Sequence, residues 1–91
     1  MCTIDYESSH HRLRVSGRCG DGAAEAIRDA IGAFGRGTDR LIVDLTALTE
    51  LSDEVAAAIV AAGDDVAPCR VTVTRKHGTD VDRMLSEAQG G

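Results

Sequence analysis

Aromatic side chains are nearly missing from these 91 residues, which hold one Phe, one Tyr and no Trp. Single-stranded nucleic acid is bound by stacking bases on aromatic rings, so the composition argues against that class of partner. A surplus of basic charge is missing too. Ten Lys and Arg stand against fifteen Asp and Glu, and the net charge of −5 opposes attraction to phosphate backbones and anionic membrane surfaces. No apolar run is long enough to cross a bilayer, the longest low-charge stretch being Val55 to Gly63. The three cysteines, Cys2, Cys19 and Cys69, lie far apart with no Cys-x-x-Cys pair. That odd count, without a secretory signal, predicts a reduced intracellular protein with buried thiols. The opening Cys-Thr-Ile-Asp-Tyr-Glu is neither basic nor continuously apolar, so no targeting segment is expected.

What is present suits one small folded domain over residues 1–91, with 43% hydrophobic and 27% charged residues. Thr3 to Ser8 and Arg12 to Cys19 each alternate with period two, the mark of half-buried strands. A two-residue loop at Ser9-His10 sets a checkable register: Glu7 faces Arg12, Asp5 faces Arg14 and Thr3 faces Ser16, while Tyr6 meets Leu13 and Ile4 meets Val15. A slip of one residue would set carboxylates against Leu and Val. After Gly20-Asp21-Gly22, an apolar stripe of Ala23, Ala26, Ile27, Ala30, Ile31 and Phe34 predicts a helix, with Asp21 placed at its positive end and Gly35-Arg36-Gly37 stopping it. Leu41 to Leu45 reads as the central strand, Asp53 to Ala62 as a helix begun by Ser52 and closed by Gly63, and Arg70 to Thr74 as another strand. Thr79 opens a last helix along Val81, Met84, Leu85 and Ala88, and Gln89-Gly90-Gly91 reads as a frayed tail. The expected fold is α/β: elements in the order β-β-α-β-α-β-α, a mixed four-stranded sheet, and helices mainly on one face. In it Leu13, Val15, Leu41, Val43, Val71 and Val73 face the helices, and Arg12, Arg14, Asp44, Thr72 and Thr74 face outward.

The segment from Leu41 to Val55 carries the most information. Asp44-Leu45-Thr46, followed by Ala47, Leu48, Thr49, Glu50 and Leu51, resembles the STAS domains, whose founding members are bacterial anti-sigma factor antagonists. Leu13-Arg-Val-Ser-Gly17 looks like the family's second strand, and Val81-Asp-Arg-Met-Leu85 like its later helix. The resemblance implies a cytoplasmic, non-catalytic protein-interaction module of transcription regulation that needs no cofactor. It implies a partner of the anti-sigma factor or serine-kinase-like class, contacted at the start of the second helix through Thr49, Glu50, Ser52, Asp53 and Glu54. It also leaves an alternative, since STAS domains occur as cytosolic structural subunits of transporter complexes, with an ATPase as partner. Some relatives bind nucleotides, but no residue here points to one.

The departure from the family matters more than the match. The family's Asp-Ser-Ser/Thr-Gly motif carries a hydroxyl that the partner kinase phosphorylates. Aligned without a gap, its four places fall on Ser52, Asp53, Glu54 and Val55, so the phosphoacceptor-equivalent position is Asp53; shifted by one residue, it is Glu54. Either way a carboxylate replaces the hydroxyl, and the phosphorylation switch is expected to be lost. A phosphate at a helix start adds about −1.5 to −2 charges, and Asp53 and Glu54 hold about that charge permanently. The plainer reading of the same residues is compatible: Ser52 caps the helix, and two acids complement its dipole.

Other candidates carry less. His10-His11 lacks a third metal ligand nearby and reads as a solvated loop. Asp44 ends a strand, as the acceptor of receiver domains does, but Val15-Ser-Gly-Arg18 offers no acidic pair for Mg²⁺. Thr74-Arg75-Lys76-His77 is a short basic step, read as solvated. The Gly-rich turns lack the Lys-Ser/Thr of a phosphate loop, and no nucleophile–base pair follows from spacing.

Overall fold

Strand β2 (Arg12–Cys19) is the axis of the molecule, because three other strands hydrogen-bond to it. The structure is a computed structural model that describes residues 1–90. Strand β1 (Cys2–Glu7) runs antiparallel along one edge of β2, in the register that the charge pattern predicts, from Thr3↔Ser16 to Glu7↔Arg12. The ion pairs follow the ladder at Glu7 and Arg12, 3.9 Å apart, and depart from it at Arg14. Arg14 reaches Glu7 at 3.7 Å and Asp44 at 3.7 Å rather than Asp5, its direct neighbour. The turn is a single 3-10 turn at Ser8–His10, and His11 takes the left-handed conformation that closes it.

The other edge of β2 is shared. Strand β3 (Arg40–Asp44) pairs with it in parallel over Arg12–Arg14, and strand β4 (Leu48–Leu51) takes over from Gly17 to Cys19. Strand β5 (Arg70–Thr74) pairs in parallel with β3 and forms the outer edge. Among the described residues the mixed sheet therefore has five strands, not four. The segment after Asp44 contains β4, hidden in the sequence because two exposed residues separate Leu48 from Leu51 and break the alternation.

Helices α1 (Ala24–Gly35), α2 (Asp53–Asp65) and α3 (Asp80–Gly90) complete the fold, with α2 packed between the other two. Both crossovers, β2-α1-β3 and β3-α2-β5, step across the sheet in one direction, so right-handed connections put α1 and α2 on one face. Leu13, Val15, Leu41 and Val43 are fully buried, as expected of that face. Val71 and Val73 remain partly exposed because β5 is an edge. Helix α2 runs past Gly63 to Asp65, and Gly63 faces Val71 of β5. Asp21 does not cap α1; it lies in a 3-10 turn, and the capping position is Ala23. At the C-terminus Gln89 and Gly90 are helical rather than frayed, and Gly91 lies outside the described residues.

One cysteine expectation fails. Cys2 and Cys19 form a disulfide, and Cys69 is the buried free thiol. The hairpin register sets Cys2 opposite Gly17, and Cys19 lies diagonally beyond it with a Cα–Cα distance of 4.9 Å. Counting cysteines could not anticipate a proximity that depends on strand pairing.

Gly17 sits where β2 changes partners, with φ +86°, and a Cβ there would overlap the Met1 carbonyl oxygen. Gly17→Ala combines a left-handed non-glycine residue with overpacking, and should cost about 2–4 kcal/mol. Urea unfolding checks this; a midpoint equal to that of the native chain contradicts the close approach.

Candidate functional site

The change of partner along β2 depends on how the chain leaves β3. Asp44 ends that strand largely buried, and the Thr46 backbone N–H and hydroxyl both donate to its Oδ1, at 2.9 and 2.7 Å. This is an Asx turn, in which a side chain substitutes for a backbone acceptor. The Leu48 N–H then donates to the Leu45 carbonyl at 3.1 Å, and the buried Leu45, Leu48 and Leu51 anchor the segment to the core. Asp44 is expected on the outward face of the sheet, and there Thr46 and Arg14 cover it. Burial alone would raise its pKa. The two Thr46 hydrogen bonds, with Arg14 and Arg12 nearby, outweigh burial and hold the carboxyl below its ordinary value.

Strand β4 carries its two exposed residues, Thr49 and Glu50, outward between Leu48 and Leu51. The Thr49 hydroxyl donates to the Gly17 carbonyl at 3.0 Å, and the Gly17 N–H donates to the Ala47 carbonyl at 3.2 Å. Arg18 and Glu50 form an ion pair at 3.1 Å that is too exposed to add much stability. Immediately beyond, the Ser52 N–H donates to the Cys19 carbonyl at 3.1 Å, which ties the start of α2 to the end of β2.

Ser52 is the N-cap of α2, in extended conformation, and its Oγ accepts the Val55 N–H at 3.2 Å. Asp53 and Glu54 occupy the first turn and are exposed; Val55 and Ala56 turn inward and are buried. Asp53 and Glu54 are thus surface carboxylates at the positive end of the helix. Thr49, Glu50, Ser52, Asp53 and Glu54 form one continuous rim from β4 onto α2.

Helix α3 borders this rim. A hollow of about 360 Å³ is lined by Arg18, Thr49, Glu50 and Leu51 on one side and by Asp80, Val81, Arg83 and Met84 on the other. Asp80, Arg83 and Arg18 were not among the residues expected at the site. Arg18 arrives through its pairing with Glu50 across β2 and β4, and Asp80 and Arg83 through the contact of α3 with β4, neither of which a local pattern carries. The start of α3 is well capped. The Thr79 hydroxyl accepts the Asp82 N–H at 3.2 Å, and Asp82 in return accepts from the Gly78 N–H and from Arg75 Nε at 3.0 Å. The Arg75 hydrogen bond, then that from Gly78, lowers the Asp82 pKa. Arg75 is therefore engaged within the fold, which leaves the basic step after β5 with Lys76 and the exposed His77.

The two tip histidines diverge, His10 toward Ser9 and Glu7 and His11 toward Thr38. Among the described residues no group of three or more His, Cys, Asp or Glu is placed to hold a metal ion. Nor is any helix among them long and apolar enough to cross a membrane. Comparison with protein-family models finds none that matches this chain, and comparison with curated proteins finds no matching sequence.

The Asp44 turn has a pH signature. A carboxylate whose folded pKa is lowered contributes stability above its unfolded value, near 3.9, and loses it as pH falls through the folded value. Asp44→Asn should therefore cost about 1–3 kcal/mol at pH 7. The gap to the native chain should close below the ordinary carboxylate range. Denaturant melts at pH 7 and in acid test this; a gap that does not shrink overturns it.

Proposed function

We propose that this chain is a STAS-like, non-catalytic interaction module that binds a regulatory protein through the rim formed by β4 and the start of α2. The hairpin followed by two strand–helix–strand crossovers supports that fold, with β4 as an added short strand. The proposed partner is an anti-sigma factor or serine-kinase-like regulator, bound without a cofactor. The observation that carries the reading is the rim of exposed Thr49, Glu50, Asp53 and Glu54 with half-buried Ser52, tied through Thr49 and Ser52 to the backbone of β2. A rim held in place before binding loses little conformational freedom in a complex.

In this reading Asp53 and Glu54 act as fixed negative charges where the resembling family places a reversible one. The Ser52 hydroxyl is occupied as a helix cap, which favours a structural rather than a switching role for it. The module then holds one binding state that does not respond to a kinase.

Calorimetry against the serine-kinase-type anti-sigma factors of the source cell tests the proposal. One of them should bind the native chain, and Asp53→Lys should weaken that complex at least about tenfold, as expected for loss of a charge-assisted contact. Its thermal unfolding should stay within that of a surface substitution. Unchanged affinity removes the rim as the interface. Phosphorylation of Ser52 by such a partner with ATP would contradict the fixed-charge reading.

A further inference from the structure

On the sheet face away from the helices, the parallel register of β3 and β5 sets Arg40 directly beside Arg70. Both are exposed, while Leu41 and Val71, the next residues, turn to the helix side. Like charges side by side in a ladder oppose each other. The chain has fifteen acids for ten bases, yet among the described residues neither arginine has a carboxylate within 4.0 Å. Arg28, Arg36 and Lys76 also lack ion pairs among the described residues. The hollow lined by Arg28 and Arg36, however, contains Asp29 and Asp65, one carboxylate for each guanidinium.

The hollow at Arg40 and Arg70 has a different balance. It measures about 470 Å³ and is lined by Asp39, Arg40, Pro68, Arg70 and Thr72, two cations against one anion. Arg12 stands one strand further on the same face, in register with Ile42, and adds positive potential although Glu7 lies 3.9 Å from it. Two guanidiniums and a hydroxyl together offer several donors in the forked geometry that suits a tetrahedral oxyanion.

We propose that Arg40 and Arg70, with the Thr72 hydroxyl, form a binding site for a phosphate dianion, either free or as a phosphomonoester. The net negative charge of the chain does not prevent this, because the local balance in the hollow is positive. Asp39 in the same hollow opposes an anion and weakens its binding. The ligand is read by its phosphate alone: Tyr6 is stacked on Phe34 of α1, with ring centroids 4.0 Å apart, so neither ring lies over the hollow. This site is separate from the rim at α2, and it stands or falls independently of the proposed partner.

The test is a titration of the isotope-labelled full chain at low ionic strength, followed by NMR, with inorganic phosphate, glycerol 3-phosphate and acetate as separate probes. Saturable shifts should be confined to the amides around Arg40 and Arg70–Thr72 with both phosphates, and absent with acetate. Arg40→Gln and Arg70→Gln should each weaken binding about tenfold, the loss expected for one charge-assisted contact, while Arg28→Gln leaves it unchanged. Tighter binding of the ester assigns a phosphomonoester as the ligand, and equal binding assigns free phosphate. Shifts that spread equally to Arg28, Arg36 and Lys76, an equal response to acetate, or native affinity in both glutamine variants would overturn the site.

Discussion

The structure depends on one constraint along β2: its outer hydrogen-bonding edge must pass from β3 to β4 without leaving backbone groups unpaired. Strand β3 leaves β2 after Arg14, and β4 begins opposite Gly17. The intervening chain has to leave the ladder, turn and return within a few residues. The Asp44 carboxylate makes that turn possible by accepting both donors of Thr46, while Gly17 supplies the backbone angle and the clearance on the β2 side. Buried backbone groups are costly when unpaired, so this arrangement has few alternatives.

Everything at the candidate site follows from the returning segment. Leu48 and Leu51 reach the core, so the two residues between them must face solvent, and Thr49 and Glu50 become a ledge. The ledge ends at Ser52, whose N–H is bonded to Cys19 and whose hydroxyl starts α2. Asp53 and Glu54 therefore project from a helix end tied to the central strand, and their charges keep a defined place on the surface. The scarcity of aromatic residues fits this build. The core is Leu, Ile, Val, Ala and Cys between a sheet and one layer of helices, and the only two rings stack on each other at its margin.

How far the sequence reaches varies from element to element. The hairpin register was legible because charge and hydrophobic alternation both penalise a slipped alternative. Strand β5 and the starts of α2 and α3 were legible from alternation and from capping residues. Strand β4 was not, since a four-residue strand with a buried-exposed-exposed-buried pattern has no period to detect. The bridge between Cys2 and Cys19 follows from strand pairing, which counting cysteines ignores. Thr49, Glu50, Ser52, Asp53 and Glu54 are neighbours along the chain, so their closeness needs no tertiary information, but the flank supplied by Asp80 and Arg83 of α3 depends on how a distant helix docks. Asp44 was read as an outward strand residue because alternation assigns a face, and a face says nothing about which neighbours will cover it.

Amide hydrogen exchange of Asp44→Asn, followed residue by residue, tests the central constraint most directly. The amides of Gly17, Leu48 and Ser52 are bonded to Ala47, Leu45 and Cys19, and report on the passage from β3 to β4. Those of Ile42 and Arg70, bonded to His11 and Asp39, report on the rest of the sheet. Exchange at the first three should rise at least about tenfold more than at the other two, as expected for local opening. An equal rise at all five, the sign of a merely global loss of stability, would contradict the account.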